Sequence, residues 1–159
     1  MATARSRPRA DADDGISALV PAVHGVMKGF FRRLHPVLEA EGISLAQFWA
    51  LHHVSSVGGS SVSDIACHLS VSTPTASAGI DPLVEAGLLT RRRSTTDRRT
   101  VELRLTVRGR RTEARVWAAI GTVMDAAAAD LSRAEVATAV RVFRALRERL
   151  DVDTTEAGP

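Results

Sequence analysis

The residues of this chain that could do chemistry are mostly cationic, and they are concentrated in one place. Between Arg91 and Arg111 stand nine arginines, at 91, 92, 93, 98, 99, 104, 108, 110 and 111, against only Asp97 and Glu102. That is a local excess of seven positive charges in a chain whose formal net charge is +3, so the remainder is net acidic. Guanidinium groups grip phosphate and carboxylate oxygens through paired N–H donors, and such a concentration points to a polyanionic partner. A charge run is often no more than a solvated face. Here the positive excess of the whole molecule sits in one stretch, which argues for a dedicated surface. Lys28 is the only lysine, so part of the arginine usage is compositional.

The other candidates are thinner. His24, His35, His52, His53 and His68 include no i, i+4 pair. Adjacent His52 and His53 on a helix point about 100° apart and do not suit a shared metal. Neither a metal nor a cofactor is expected. Cys67 is the only cysteine, falls on the polar side of its helix and has nothing around it to activate a thiolate. There is no glycine-rich phosphate loop, nucleophile elbow or paired-carboxylate setting, so an enzyme is not expected. Phe48, Trp49, His52 and Trp117 could line a pocket for a small aromatic or anionic molecule, although aromatics at helical spacing more often fill a core.

The elements that must position the arginines can be read from periodicity. Val101, Leu103, Leu105 and Val107 alternate with Glu102, Arg104 and Thr106, a strand with one buried face. Leu88 and Leu89 open a second extended run that ends in Arg91, Arg92 and Arg93, and Ser94 to Asp97 are turn formers. The simplest object is a two-stranded hairpin with an arginine-rich tip, shaped to follow a phosphate backbone or enter a groove. Upstream, Ser44-Leu45-Ala46-Gln47 is a capping box that opens a helix through Phe48, Leu51 and Val54 to about Val57. Gly58-Gly59-Ser60 is a loop. Ser61-Val62-Ser63-Asp64 caps a short helix with Ile65, Ala66 and Leu69 inward. After Ser70-Val71-Ser72, Thr73-Pro74-Thr75 opens a third helix that carries Ile80 and Leu83 and stops at Gly87. Two helices joined so tightly make a helix-turn-helix, and the hairpin behind them makes it a winged one. Pro82 is expected to bend or shorten the last turn of the third helix, and Gly79 to weaken it. Its N-terminal part presents Ser72, Thr73, Thr75, Ala76 and Ser77, small groups that can approach base edges and thymine methyls but lack bidentate readers. Groove shape and the wing should therefore supply much of the specificity.

The fold class expected is mainly α with a small β component, in which N- and C-terminal helices form a dimerisation region around the winged helix-turn-helix. The winged part spans about 44–106, with flanking helices at about 15–40 and 107–150, in one domain over 15–150. Ile16 to Leu38 carries a wide apolar stripe in which Pro21 and Pro36 predict a late start or a kink. Thr106 can cap a helix from Val107 to about Asp130, and Ser132 to Glu135 is a capping box before Val136, Val140, Phe143, Leu146 and Leu150. So much apolar surface on terminal helices predicts a homodimer. Residues 1–14 read as a disordered arm and 151–159 as a frayed end. No apolar run approaches the roughly 18 residues of a membrane span, and the N-terminus lacks the apolar core of a secretory signal, so a cytoplasmic protein is expected.

This order of elements resembles the MarR family of bacterial regulators. The resemblance is carried by Ser44-Leu45-Ala46-Gln47-Phe48, Val62-Ser63-Asp64-Ile65-Ala66, Gly87-Leu88-Leu89-Thr90-Arg91, and Asp97-Arg98-Arg99 followed by Leu103-Arg104-Leu105-Thr106, within residues 16 to 150. It implies a ligand-responsive repressor that binds double-stranded DNA at a palindromic operator as a homodimer. The third helix of the motif would enter the major groove and the wing the minor groove, with Asp97 orienting Arg99 and Arg91, Arg92, Arg93 and Arg98 on phosphates. It also implies a small-molecule pocket between the dimerisation and DNA-binding parts. The alternatives are a metal- or redox-responsive regulator of the same fold, and a winged-helix interaction module without operator specificity.

Overall fold

The computed structural model describes residues 15–93 and 101–156, apart from the side chains of Ile16 and residues 151–156. Six helices and one two-stranded antiparallel sheet follow in the order α1 (Ile16–Glu41), α2 (Leu45–Val57), α3 (Val62–His68), α4 (Thr73–Glu85), β1 (Leu89–Arg93), β2 (Val101–Leu105), α5 (Val107–Ala127) and α6 (Arg133–Glu156). This is the mainly helical winged helix-turn-helix that the sequence predicts. The chain forms two compact units, one up to Ile120 and one from Gly121. The expected N-terminal arm lies outside the described residues. Among the described residues no helix is long and apolar enough to cross a membrane.

Serine capping starts most of these helices. Ser44 accepts from the Gln47 amide while the Gln47 side chain accepts from the Ser44 amide, at 3.2 and 2.8 Å. Ser61 and Asp64 repeat the reciprocal pair at the start of α3, and Ser132 and Glu135 at the start of α6. Each box satisfies amides that the first helical turn leaves without partners.

The first unit is built around one core. Leu34, Leu38 and Ile43 meet Phe48, Leu51 and Val54 of α2, Ile65 of α3, Ile80 and Leu83 of α4, Leu89 and Leu103 of the hairpin, and Val116 of α5. The strands pair in register from Leu89 opposite Leu105 to Arg93 opposite Val101. Ser60 adds an isolated bridge from outside the two strands, its amide donating to the Leu103 carbonyl and its carbonyl accepting from the Leu103 amide, at 3.1 and 2.8 Å. At the other end of the hairpin, the Thr106 hydroxyl donates to the Gly87 carbonyl at 2.6 Å and accepts from the Gly109 amide at 3.0 Å. One side chain thus caps α5 and ties its start to the end of α4, as Thr106 was expected to cap. Gly109 is buried here, and a Cβ added to it would lie 2.0 Å from the Leu88 carbonyl oxygen.

Several expectations about boundaries are corrected. Helix α1 has no late start: it begins at Ile16 and runs through Pro21 and Pro36. Both prolines are exposed, so their rings do not have to be fitted into the core. Pro82 does not shorten α4, which continues to Glu85 with the Ala86 amide donating to the Pro82 carbonyl at 2.9 Å. It too lies on the exposed side. The alternating strand ends at Leu105, and Val107 begins α5 with a largely exposed side chain. Val101, paired with Arg93 towards the tip, is also exposed, because the ribbon projects beyond the core there. Helix α5 ends at Ala127 rather than about Asp130, and α6 continues to Glu156 rather than fraying after 150. No glycine or proline interrupts the chain before Gly158 and Pro159.

In the second unit α6 presents an amphipathic face. Val136, Val140, Val142 and Phe143 are exposed, and Leu131, Val140 and Phe143 help line a groove of about 460 Å³.

Candidate nucleic-acid interface

Helix α4 and the hairpin pack on the same core and are linked by the Arg91–Asp81 pair. At the start of α4 the Ser72 hydroxyl accepts from the Thr75 amide at 3.3 Å and shares a hydrogen bond with the Thr75 hydroxyl at 2.8 Å. Two of the expected hydroxyls thus serve the cap. Ser72, Thr73 and Thr75 are exposed and Ser77 is half-buried. Ala76 is placed differently from the expectation: it is buried in the core one turn before Ile80. The spacing 76, 80, 83 is that of the buried stripe, a signal present in the sequence. The same periodicity puts Pro74 and Ala78, which the sequence reading passed over, on the exposed side.

The arginines divide into two groups. Arg91 donates to the Asp81 carboxylate of α4 at 2.5 Å, Arg104 to Glu102 at 2.9 Å, Arg108 to the Ala86 carbonyl at 2.8 Å and Arg110 to the Leu105 carbonyl at 3.0 Å. These four are held by the protein's own acceptors. Arg92, Arg93 and Arg111 are exposed and have no carboxylate partner among the described residues. Asp97, Arg98 and Arg99 lie outside the described residues.

The base of the site is stiffened by long-range pairs. Glu41, at the end of α1, accepts from Arg115 of α5 through Nε and Nη2 at 2.5 and 2.6 Å, and from the buried Thr112 hydroxyl at 2.9 Å. The Arg115 guanidinium holds the Glu41 carboxyl below its ordinary value, against burial, which works the other way.

The aromatic residues singled out from the sequence do come together. The His52 ring lies on Trp117 with centroids 4.3 Å apart and planes 8° from parallel, and its Nδ1 is 2.8 Å from Glu113 Oε1. Phe48 is fully buried beneath, 5.1 Å from the Trp49 ring centroid and 6.5 Å from that of Trp117. The rings pack against one another, with Trp117 as the exposed member. His53 and His68 form a separate stack, with centroids 4.3 Å apart. Burial pulls His53 below the ordinary histidine value, and the His68 charge adds to that. Among the described residues no group of three or more His, Cys, Asp or Glu side chains is placed to hold a metal ion. Cys67 is exposed.

Residues 41–100 match the family model of the MarR family. The fold is also that of solved proteins similar to this chain. A MarR family protein from Bacillus stearothermophilus is 20% identical, with 89% of this chain and 99% of that chain covered at a TM-score of 0.77. RV1404 from Mycobacterium tuberculosis is 27% identical, with 93% and 97% covered at a TM-score of 0.70. A mutant MarR from E. coli complexed with operator DNA is 24% identical, with 86% and 99% covered at a TM-score of 0.69. No curated protein matches the chain. The resemblance drawn from the sequence is met both by the family match and by the fold.

Proposed function

We propose that this chain, with a MarR-family match over residues 41–100 and the fold of MarR-family transcription regulators, is a sequence-specific regulator that binds double-stranded DNA. It acts by binding rather than catalysis, in the bacterial cytoplasm, as a homodimeric repressor on a palindromic operator. The observation that carries the reading is the pairing of an exposed, small-residue start of α4 with an arginine-bearing hairpin on one rigid core. The small residues allow close approach to a major groove, and the arginines supply charge for the adjacent backbone. Asp97 and Arg99 are assigned the minor-groove role on sequence resemblance, with Asp97 orienting Arg99. Arg99→Ala should then weaken operator binding more than random-DNA binding, by about 1–3 kcal/mol. Asp97→Ala should act as a milder form of the same change although it removes a negative charge. Affinities for an operator found by genomic-fragment selection and for random DNA, over a salt series, test this. Tighter operator binding by Asp97→Ala would remove the orienting role. Equal affinities of the parent protein for both DNAs would favour an interaction module without operator specificity.

The reading includes an effector. A small aromatic or anionic molecule would compete for the place that Trp117 occupies on His52, between α2 and α5. A ligand shifts DNA affinity only by its differential affinity for the bound and free states. Salicylate at millimolar concentration should quench tryptophan fluorescence and weaken operator binding together. Neither change occurring would remove the aromatic cluster as an effector site.

A further inference from the structure

The outer face of the hairpin bears a cationic feature to which α4 contributes no residue. In the observed register Thr90 stands opposite Arg104 and Arg92 opposite Glu102, so these four side chains share the face turned away from Leu89 and Leu103. At the base of that face Arg110, in the first turn of α5, folds back so that its guanidinium donates to the Leu105 carbonyl. A depression of about 440 Å³ results, lined by Thr90, Arg92, Arg104, Thr106 and Arg110. Three guanidinium groups border it, and Glu102, ion-paired to Arg104, is the carboxylate beside them. Arg92 has no carboxylate partner among the described residues. The Leu105 carbonyl restrains one edge of the Arg110 guanidinium, leaving its other donors to an incoming oxyanion.

We propose that this depression is a backbone-phosphate subsite, in which Arg92 and Arg110, with the hydroxyl of Thr90, hold a phosphate of the DNA flanking the base pairs met by α4. The inference rests on the DNA-binding reading and adds Arg110 and Thr90 to its surface. Three clustered guanidiniums repel one another in the free protein, and a phosphate relieves that repulsion while accepting several charge-assisted hydrogen bonds. DNA is favoured over a free anion because the depression lies on the same two-stranded ribbon that carries Arg91 and Arg93 on its opposite face. A site of this kind is blind to sequence, and its signature is counterion release.

The test uses the full chain and a random-sequence duplex, with affinity measured against salt concentration. Arg92→Gln and Arg110→Gln should each lower the slope of log affinity against log salt by about one unit. Arg110→Lys, which keeps the charge, should restore most of the slope. Thermal unfolding of each variant checks that the hairpin is intact, and Arg111→Gln, outside the depression, serves as a charge-matched control. An unchanged slope in folded Arg92→Gln and Arg110→Gln, or an equal loss in Arg111→Gln, overturns the subsite while leaving the DNA-binding reading in place. If the parent protein binds no duplex at all, the functional reading fails first. If millimolar inorganic phosphate stabilises the parent but not Arg110→Gln against unfolding, and the DNA slopes are unchanged, the depression is a free-anion site and the proposal is wrong.

Discussion

Whether an arginine is available to a partner depends on what lies within reach of its guanidinium. Arg91 was expected on a DNA phosphate, yet its charge is partly matched by Asp81, and the pair ties β1 to α4. Both members are about half exposed, so the pair fixes geometry more than it stabilises the fold. Gly109 makes the opposite case, a residue with no side chain that sets how close α5 comes to the hairpin. By helix propensity alone, Gly109→Ala should stabilise by about 1 kcal/mol. The new Cβ would meet the Leu88 carbonyl oxygen at 2.0 Å and Leu105 Cδ2 at 2.9 Å, which is overpacking against backbone. The expected net effect is a loss of about 1–3 kcal/mol in chemical denaturation. Gly79→Ala, whose Cβ would meet nothing within 4 Å, should be neutral or slightly stabilising in the same assay. Equal effects at the two positions would mean that the contact at Gly109 relaxes without cost.

The end of α1 is held to α5 by the carboxylate of Glu41, which joins residues 71 and 74 positions apart in sequence. The Glu41 side chain is mostly buried while that of Arg115 is about half exposed, so solvent screens the pair. Glu41→Gln should cost about 1 kcal/mol at neutral pH, below the effect of breaking a fully buried pair. The pH dependence has a definite sign. The folded carboxyl titrates below the unfolded one, so its contribution is complete above the unfolded carboxylate value and is lost as the pH falls through the folded one. Denaturation midpoints of the parent and Glu41→Gln should therefore differ at neutral pH and converge at acidic pH. A difference that persists unchanged into acid would assign the effect to packing rather than to charge.

For the molecule as a whole, the exposed apolar surface is the main unbalanced quantity. Val20, Val26 and Met27 on α1 are exposed, and so are Val136, Val140, Phe143 and Leu150 on α6. Exposed apolar side chains gathered on terminal helices are the ground for the homodimer proposed above. Sedimentation at micromolar concentration should give about twice the chain mass. Phe143→Glu, which places a charge within the apolar face of α6, should shift the protein towards monomer and weaken operator binding with it. A parent protein that sediments as a well-folded monomer would remove the dimer, and the palindromic operator that follows from it.

The sequence by itself determined the order and type of the elements, because their signals act within a turn or a strand. Ser44, Ser61 and Ser132 each find a partner three residues on, and Thr106 caps the helix it precedes. The alternation from Val101 to Leu105 could fit only a strand. Proline was legible only in part: Pro21 and Pro36 did not delay the start of α1 and Pro82 did not shorten α4, because where those helices end is set by the packed structure and not by the local backbone penalty alone. Tertiary structure decided which candidates share a surface. It buried Ala76 and engaged Arg91, Arg104, Arg108 and Arg110 with acceptors inside the protein. It also laid His52 on Trp117 from across 65 positions of chain. Such pairings depend on the angle and distance at which helices settle around a common core. Those follow from the summed packing of many side chains and are not carried by any short stretch of sequence.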